Sequence, residues 1–118
     1  MTKHEMLQRT KAFALRVVKA VRALPKRDDV ATILGRQLLR SGTSVGANYR
    51  AACRAKSSAD FRNKLKIVEE ECDESLYWME LLIEAGRINA SQVAELFAEG
   101  DAIISIVVAS IRTARLRA

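Results

Sequence analysis

The chain predicts an all-α fold, an up-down-up-down antiparallel four-helix bundle that forms a single domain over residues 1–118. Three observations carry that expectation. Apolar residues recur at spacings of three and four in successive segments, as on amphipathic helices. Short polar turns join the segments, and short turns favour antiparallel neighbours. Apolar residues make up 49% of the chain and charged residues 29%, with one proline, which is a helical rather than a disordered composition. A chain of 118 residues also suits a single core.

The first helix is expected from His4 to Leu24, with Leu7, Thr10, Phe13, Ala14, Val17, Val21 and Leu24 on one stripe. Arg9, Arg16, Lys19 and Arg22 lie off it. Pro25 ends the helix, because proline disfavours helical backbone in the residue before it. Asp28 or Asp29 is placed to cap the second helix. That helix is expected from Val30 to Ala55, with Val30, Ile33, Leu34, Leu38, Ser41, Val45, Asn48 and Ala52 turned inward.

The stretch Leu39 to Arg50, LRSGTSVGANYR, lies at the centre of the second helix. Gly42 and Gly46 share one face, one turn apart. Each costs about 1 kcal/mol against alanine in a helix interior, and a neighbouring helix approaching closely over the small residues would offset that. The competing possibility is a break at Gly42.

Ser57, with Asp60 three residues later, marks the start of a third helix that runs to Ala85. Phe61, Leu65, Val68, Cys72, Ser75, Met79 and Leu82 form a near-heptad seam suited to bundle packing. Leu76, Tyr77, Trp78 and Ile83 lie beside it, either as a broad core face or as a contact with another subunit. Gly86 is the expected C-cap. Asn89 or Ser91 caps a fourth helix with Val93, Phe97, Gly100, Ile104, Val107, Ile111 and Ala114 on its stripe, widened by Ile103, Ile106 and Val108. Leu76, Tyr77, Trp78, Ile103 and Ile106 are the candidate oligomer interface.

Several chemistries lose support. The single histidine, His4, cannot supply the paired Glu-x-x-His motifs of a di-metal bundle. The acidic run Glu69, Glu70, Glu71, Asp73 and Glu74 spreads around the helix. Cys53 and Cys72 are too few for a disulfide framework and suit buried small-residue roles. No glycine-rich phosphate loop follows a strand. The expectation is no catalytic residue, no metal and no cofactor. The segment Ala102 to Ile111 is far short of the roughly 20 residues of a membrane span, and the charged amphipathic N-terminal segment is unlike a secretory signal. A cytoplasmic protein is expected.

Charge is uneven. Residues 1–66 hold 16 Lys and Arg against 4 Asp and Glu, and residues 67–118 hold 4 against 10, for a net +6. Such asymmetry fits either a nucleic-acid surface or two halves that attract each other. Arg36, Arg40, Arg50 and Arg54 fall on one stripe with Thr43 and Ala47 between them. Arginine forks match phosphate oxygens bidentately, so the stripe is the candidate contact for RNA or DNA. The same forks match carboxylates, with Glu70 and Glu74 as internal partners. In that case the protein is an interaction scaffold or adaptor for a protein partner.

LRSGTSVGANYR, then Ser57-x-x-Asp60-Phe61, Lys64-Leu65, Glu70-Glu71, Glu74 and Tyr77-Trp78, resembles the four-helix bundle family of proteins encoded in intervening sequences of 23S rRNA genes. Members are sometimes labelled ribosomal proteins. The Leu24-Pro25-Lys26 turn also fits, and Ala51 stands where relatives usually carry glutamate. The resemblance implies a small cytoplasmic bundle that assembles into a ring, a homopentamer. It is also similar to the accessory proteins of diversity-generating retroelements, basic bundles that bind nucleic acid and a reverse transcriptase.

Overall fold

A computed structural model describes residues 1–117. The described residues form four helices: α1 (Lys3–Arg22), α2 (Asp29–Cys53), α3 (Ser58–Glu84) and α4 (Ala90–Arg117). They make a rod of 49 × 22 × 20 Å. Sequential helices pack side by side and α4 closes back on α1 with the lightest contact, so α1 and α3 stand on one diagonal and α2 and α4 on the other.

The helix ends follow from local chemistry. Thr2 caps α1 by accepting from the Glu5 amide at 3.1 Å, and the Glu5 carboxylate accepts from the Thr2 amide at 2.9 Å. This reciprocal box satisfies two donors that the first turn would otherwise leave open. Asp28 caps α2 by accepting from the Ala31 amide at 2.8 Å. Ser57 caps α3 through the Asp60 amide at 3.1 Å, while Asp60 accepts from the Lys56 amide at 3.1 Å. At the end of α3, Gly86 adopts φ +72°. The Arg87 amide then bonds to the Leu82 carbonyl at 2.9 Å and the Gly86 amide to the Ile83 carbonyl at 3.0 Å. This pair is the Schellman closure, and the positive φ is why glycine sits there. Before α4 the Gln92 side chain reaches back to the Asn89 amide at 3.1 Å.

Helix α2 runs unbroken through both glycines. A methyl added at Gly42 would come within 2.7 Å of Val17 Cγ1, and one at Gly35 within 2.8 Å of Leu24 Cδ1. At Gly46 the nearest atoms, all on Thr10, would stand at 3.4 Å. Three glycines therefore line the α1 crossing, and Gly35 joins the two expected from the sequence.

The close crossing rotates the inward stripe of α2 from its expected phase. Val30 and Ile33 face solvent, and Ala31, Gly35, Leu38, Ser41, Gly42, Val45, Tyr49 and Ala52 are buried. Small residues take the face where the backbones approach, which leaves bulkier neighbours outside. Asn48 is half-buried and donates to the Ser44 carbonyl at 2.8 Å.

The α3 seam is as expected from Leu65 to Leu82, with Phe61 half-buried at its start. In α4 the buried line is Val93, Leu96, Gly100, Ile103 and Val107, with Phe97, Ile104 and Ile111 flanking it. Gly100 sets that phase. A methyl there would lie 2.7 Å from Leu76 Cδ2 and 3.3 Å from Phe13 Cε1, so α4 turns its glycine toward these two side chains.

Where α1 and α4 meet, Arg9 grips Glu99 with both arms of the fork, at 2.6 and 2.8 Å. Those bonds hold the Glu99 carboxyl below the usual range against a smaller opposing effect of burial. Hydrogen bonds likewise lower Glu5 through Thr2, Asp28 through the Ala31 amide and then Arg87, and Asp60 through Lys64 and then the Lys56 amide.

Two outcomes follow. Alanine adds about 1 kcal/mol of helix propensity over glycine. At Gly46 the neighbour stands at ordinary contact distance, so Gly46→Ala should hold or raise the urea midpoint. Gly42→Ala meets the stiff, β-branched Val17 and should lose about 1–3 kcal/mol to overpacking, which lowers the midpoint. Separately, all four lowered carboxyls stabilise the fold above their unfolded pKa of about 4. That contribution is lost as pH falls through the lowered folded values. Melting temperature should therefore stay level from neutral pH to about pH 5 and drop below about 4, with a shallower acid fall in Glu99→Gln. A flat profile down to pH 2 would contradict this.

Candidate nucleic-acid interface

The arginine stripe of α2 divides into two kinds of residue. Arg40 turns across the seam to α3, where its guanidinium bonds Glu74 and lies 3.4 Å from Glu71. Trp78 Nε1 donates to the same Glu74 carboxylate at 3.3 Å. Of the two internal partners expected, Glu74 is used. Glu71 takes the place of Glu70, which points to solvent. Arg36, Arg50 and Arg54 are exposed and form no ion pair among the described residues.

Register separates Arg40 from Arg50 and Arg54. Ser75 Oγ donates to Ser41 Oγ at 2.9 Å, which fixes the antiparallel level of α2 against α3. Arg40 then faces the acidic stretch at Glu71 and Glu74. Arg50 and Arg54 lie level with Arg62, Lys64 and Lys66, where Asp60 is bonded to Lys64 at 2.6 Å and Glu69 to Lys66 at 3.3 Å.

Arg50 and Arg54 instead border a groove of about 590 Å³ between α1 and α2. Its lining includes Leu7, Ala14, Gly46 and Ala47, with the cationic Lys11 from α1 facing the arginines, and no acidic residue. A second groove of about 250 Å³ further along the same pair of helices carries Lys26, Arg27 and Arg36 over an apolar lining that includes Leu24 and Leu39. Lys11, Lys26 and Arg27 were not among the candidate nucleic-acid contacts read from the sequence. Their signal was the cation excess of the first 66 residues, but joining them to α2 needs the α1–α2 crossing.

The chemistry this face can perform is charge recognition. The Cys72 thiol donates to the Gly100 carbonyl at 3.3 Å, and burial, followed by the charges of Asp73, Glu99 and Asp101, pushes it up to about 12. A thiol so placed is no nucleophile. Tyr49 is pushed up to about 12, first by burial and then by the neighbouring Cys53. Among the described residues no group of three or more His, Cys, Asp or Glu could hold a metal ion.

The candidate oligomer interface is narrower than expected. Leu76 is 6% exposed and Ile103 0%, because both belong to the bundle's own core, with Leu76 set against Gly100. They are not available to another subunit. Trp78 and Ile106 are half-buried, and Tyr77 is 52% exposed, set edge-on to Trp78 with centroids 5.1 Å apart.

The family model of the 23S rRNA-intervening sequence protein matches residues 2–109. Among solved structures, the chain is similar to a protein of unknown function from the S23 ribosomal protein family of Bacteroides thetaiotaomicron VPI-5482. That likeness has a TM-score of 0.87 and 34% identity, and covers 95% of this chain and 99% of that one. No curated protein matches.

The two kinds of arginine should separate by stability. Arg40→Ala breaks a half-exposed pair that also steadies Trp78 and should cost about 0.5–1 kcal/mol in a urea melt. Arg50→Ala and Arg54→Ala remove no partner and should melt with the parent.

Proposed function

Because the chain belongs to the 23S rRNA-intervening sequence protein family, we propose that it is a non-enzymatic, self-associating bundle that binds nucleic acid through the α1–α2 face. One observation carries the nucleic-acid reading: Lys11, Arg50 and Arg54 are cations around a groove with no acidic lining. Arg36, with Lys26 and Arg27, continues the basic surface along the rod. Such an arrangement suits a polyanion backbone and carries no base code. Self-association draws support from the exposed apolar side chains Leu15, Ile33, Ile67 and Tyr77. A cytoplasmic setting suits two free cysteines.

Labelled RNA and DNA oligonucleotides, single-stranded and duplex, titrated at several salt concentrations, test the binding. Log affinity should fall with log salt by about 0.9 per phosphate contact on duplex DNA and about 0.7 on single strands. Arg50→Ala with Arg54→Ala should weaken binding to all sequences alike and flatten the slope. Arg40 supports the rival reading, a protein scaffold whose arginines serve internal pairs. On that reading the folded parent shows no salt-sensitive binding, and this result would overturn the proposal.

A further inference from the structure

The larger groove between α1 and α2 sorts its residues by depth. Its half-buried members are Leu7, Ala14, Gly46 and Cys53, none of them charged, whereas its cations Lys11, Arg50 and Arg54 are exposed along the rim. Thr43, the hydroxyl in the lining, already donates to the Leu39 carbonyl at 2.7 Å. The amides beneath are spent on helical bonds. Charged donors for a phosphate therefore stand at the rim, and the floor is apolar.

The smaller groove repeats this order. Leu24 and Gly35 are buried, Val21 and Leu39 are half-buried, and Lys26, Arg27 and Arg36 are exposed. None of the cations of either groove forms an ion pair among the described residues. Leu39 of one lining and Thr43 of the other are neighbours one turn apart on α2. Gly35 and Gly46 lie about 16 Å apart along the same helix. The two grooves are thus successive parts of one seam.

Such a floor distinguishes between nucleic acids. A duplex is stiff and keeps its base faces stacked inside, so it offers a protein surface sugar and phosphate along its outside. The rod is 22 × 20 Å across, so a duplex meets it as one convex cylinder on another. It reaches cations on the rim and leaves the apolar floor unfilled. A single strand bends into the seam and has base faces to set on apolar surface.

We propose that the α1–α2 seam takes single-stranded RNA or DNA in preference to duplex, with bases on the apolar floor and phosphates at the cations of the two rims. This deepens the nucleic-acid reading and rests on it. No Phe, Tyr or Trp lines either groove, so base faces meet aliphatic surface and the flat guanidinium groups of the rim. Every base has such a face, and the contact is therefore tolerant of sequence.

Fluorescence anisotropy with the full chain tests this on labelled probes of equal length. The probes are an RNA strand without self-complementarity, the matching DNA strand, the DNA duplex, and an abasic DNA strand that keeps the phosphates. Polyglutamate serves as a polyanion without phosphate. Burial of base faces on the floor should make both single strands bind about tenfold tighter than the duplex, or more. The abasic strand should fall to the duplex level. With three cations at each rim, the salt slope on a single strand should approach about 4. Ala47→Leu fills the larger groove from an exposed position. It should weaken the single strands and leave duplex affinity and the urea midpoint unchanged.

A duplex or an abasic strand that binds as tightly as the single strands would show recognition of charge alone. This proposal then falls while the nucleic-acid reading stands. Weakening with the abasic strand but not with Ala47→Leu places the bases off this groove and overturns it too. If polyglutamate binds and none of the nucleic acids does, the seam belongs to an acidic protein. That result, or binding of no probe at all, overturns the nucleic-acid reading itself.

Discussion

The close crossing of α1 over Gly35, Gly42 and Gly46 is the constraint on which the rest of the structure depends. Glycine in a helix interior gives up about 1 kcal/mol each against alanine, and the return comes as contact. Val17 fills the space that a Cβ at Gly42 would need, and Leu24 does the same at Gly35. Such contacts are individually small but sum along the full length of a crossing. Thr10, buried at the crossing, sends its hydroxyl to the Met6 carbonyl at 2.8 Å. On the other side of α2, Ser41 and Ser75 bond each other, and no buried side-chain polar atom among the described residues is left without a partner. Small polar residues thus let backbones approach without the cost of an unpaired buried group.

The same crossing shapes the basic face. With Gly46, Ala47 and Ala14 in the lining, α1 and α2 leave a shallow furrow rather than a filled ridge. Long cationic side chains beside it project to either side. Axial register sets which carboxylates lie within reach of Arg40, Arg50 and Arg54. Arg40 finds Glu71 and Glu74, Arg9 finds Glu99 and Arg87 finds Asp28. Arg50 and Arg54 face the basic start of α3 and form no ion pair among the described residues. One stripe of chemically identical residues therefore holds both a structural strut and free phosphate-matching forks.

Local signals made much of this legible in the sequence. Caps at Asp28 and Ser57, the closure at Gly86 and the α3 seam are each set by residues within a turn or two of one another. The α2 and α4 phases were read less well, for one physical reason. Hydrophobic periodicity weighs bulky side chains, whereas these helices turn glycine toward their neighbours. Gly42 pulls Ala31 and Tyr49 inward and leaves Ile33 outside, and Gly100 draws Ile103 into the core ahead of Ile104. Assigning Leu76 and Ile103 to an oligomer surface was a related error, since both are buried in the bundle's own core. At the basic face the α2 stripe was visible, because one helix's spacing defines it. Lys11 was not, since it joins the stripe only after two helices are placed against each other.

The charge asymmetry between the halves of the chain admits a sharper interpretation once the pairs are known. If the halves balanced each other internally, the cations of residues 1–66 would be spent on the acids of residues 67–118. Only Arg9 and Arg40 reach such an acid on another helix among the described residues, and Arg87 with Asp28 runs in the reverse sense. Lys64 and Lys66 take neighbours on their own helix. Half of the acids of α3 are likewise unspent, for Glu70, Asp73, Glu80 and Glu84 face outward and form no ion pair among the described residues. Bundle geometry keeps the two excesses apart, because α1 and α3 occupy a diagonal and touch only the helices between them. Folding therefore leaves the positive and negative surfaces on opposite corners, where they can be neutralised only by something outside the chain.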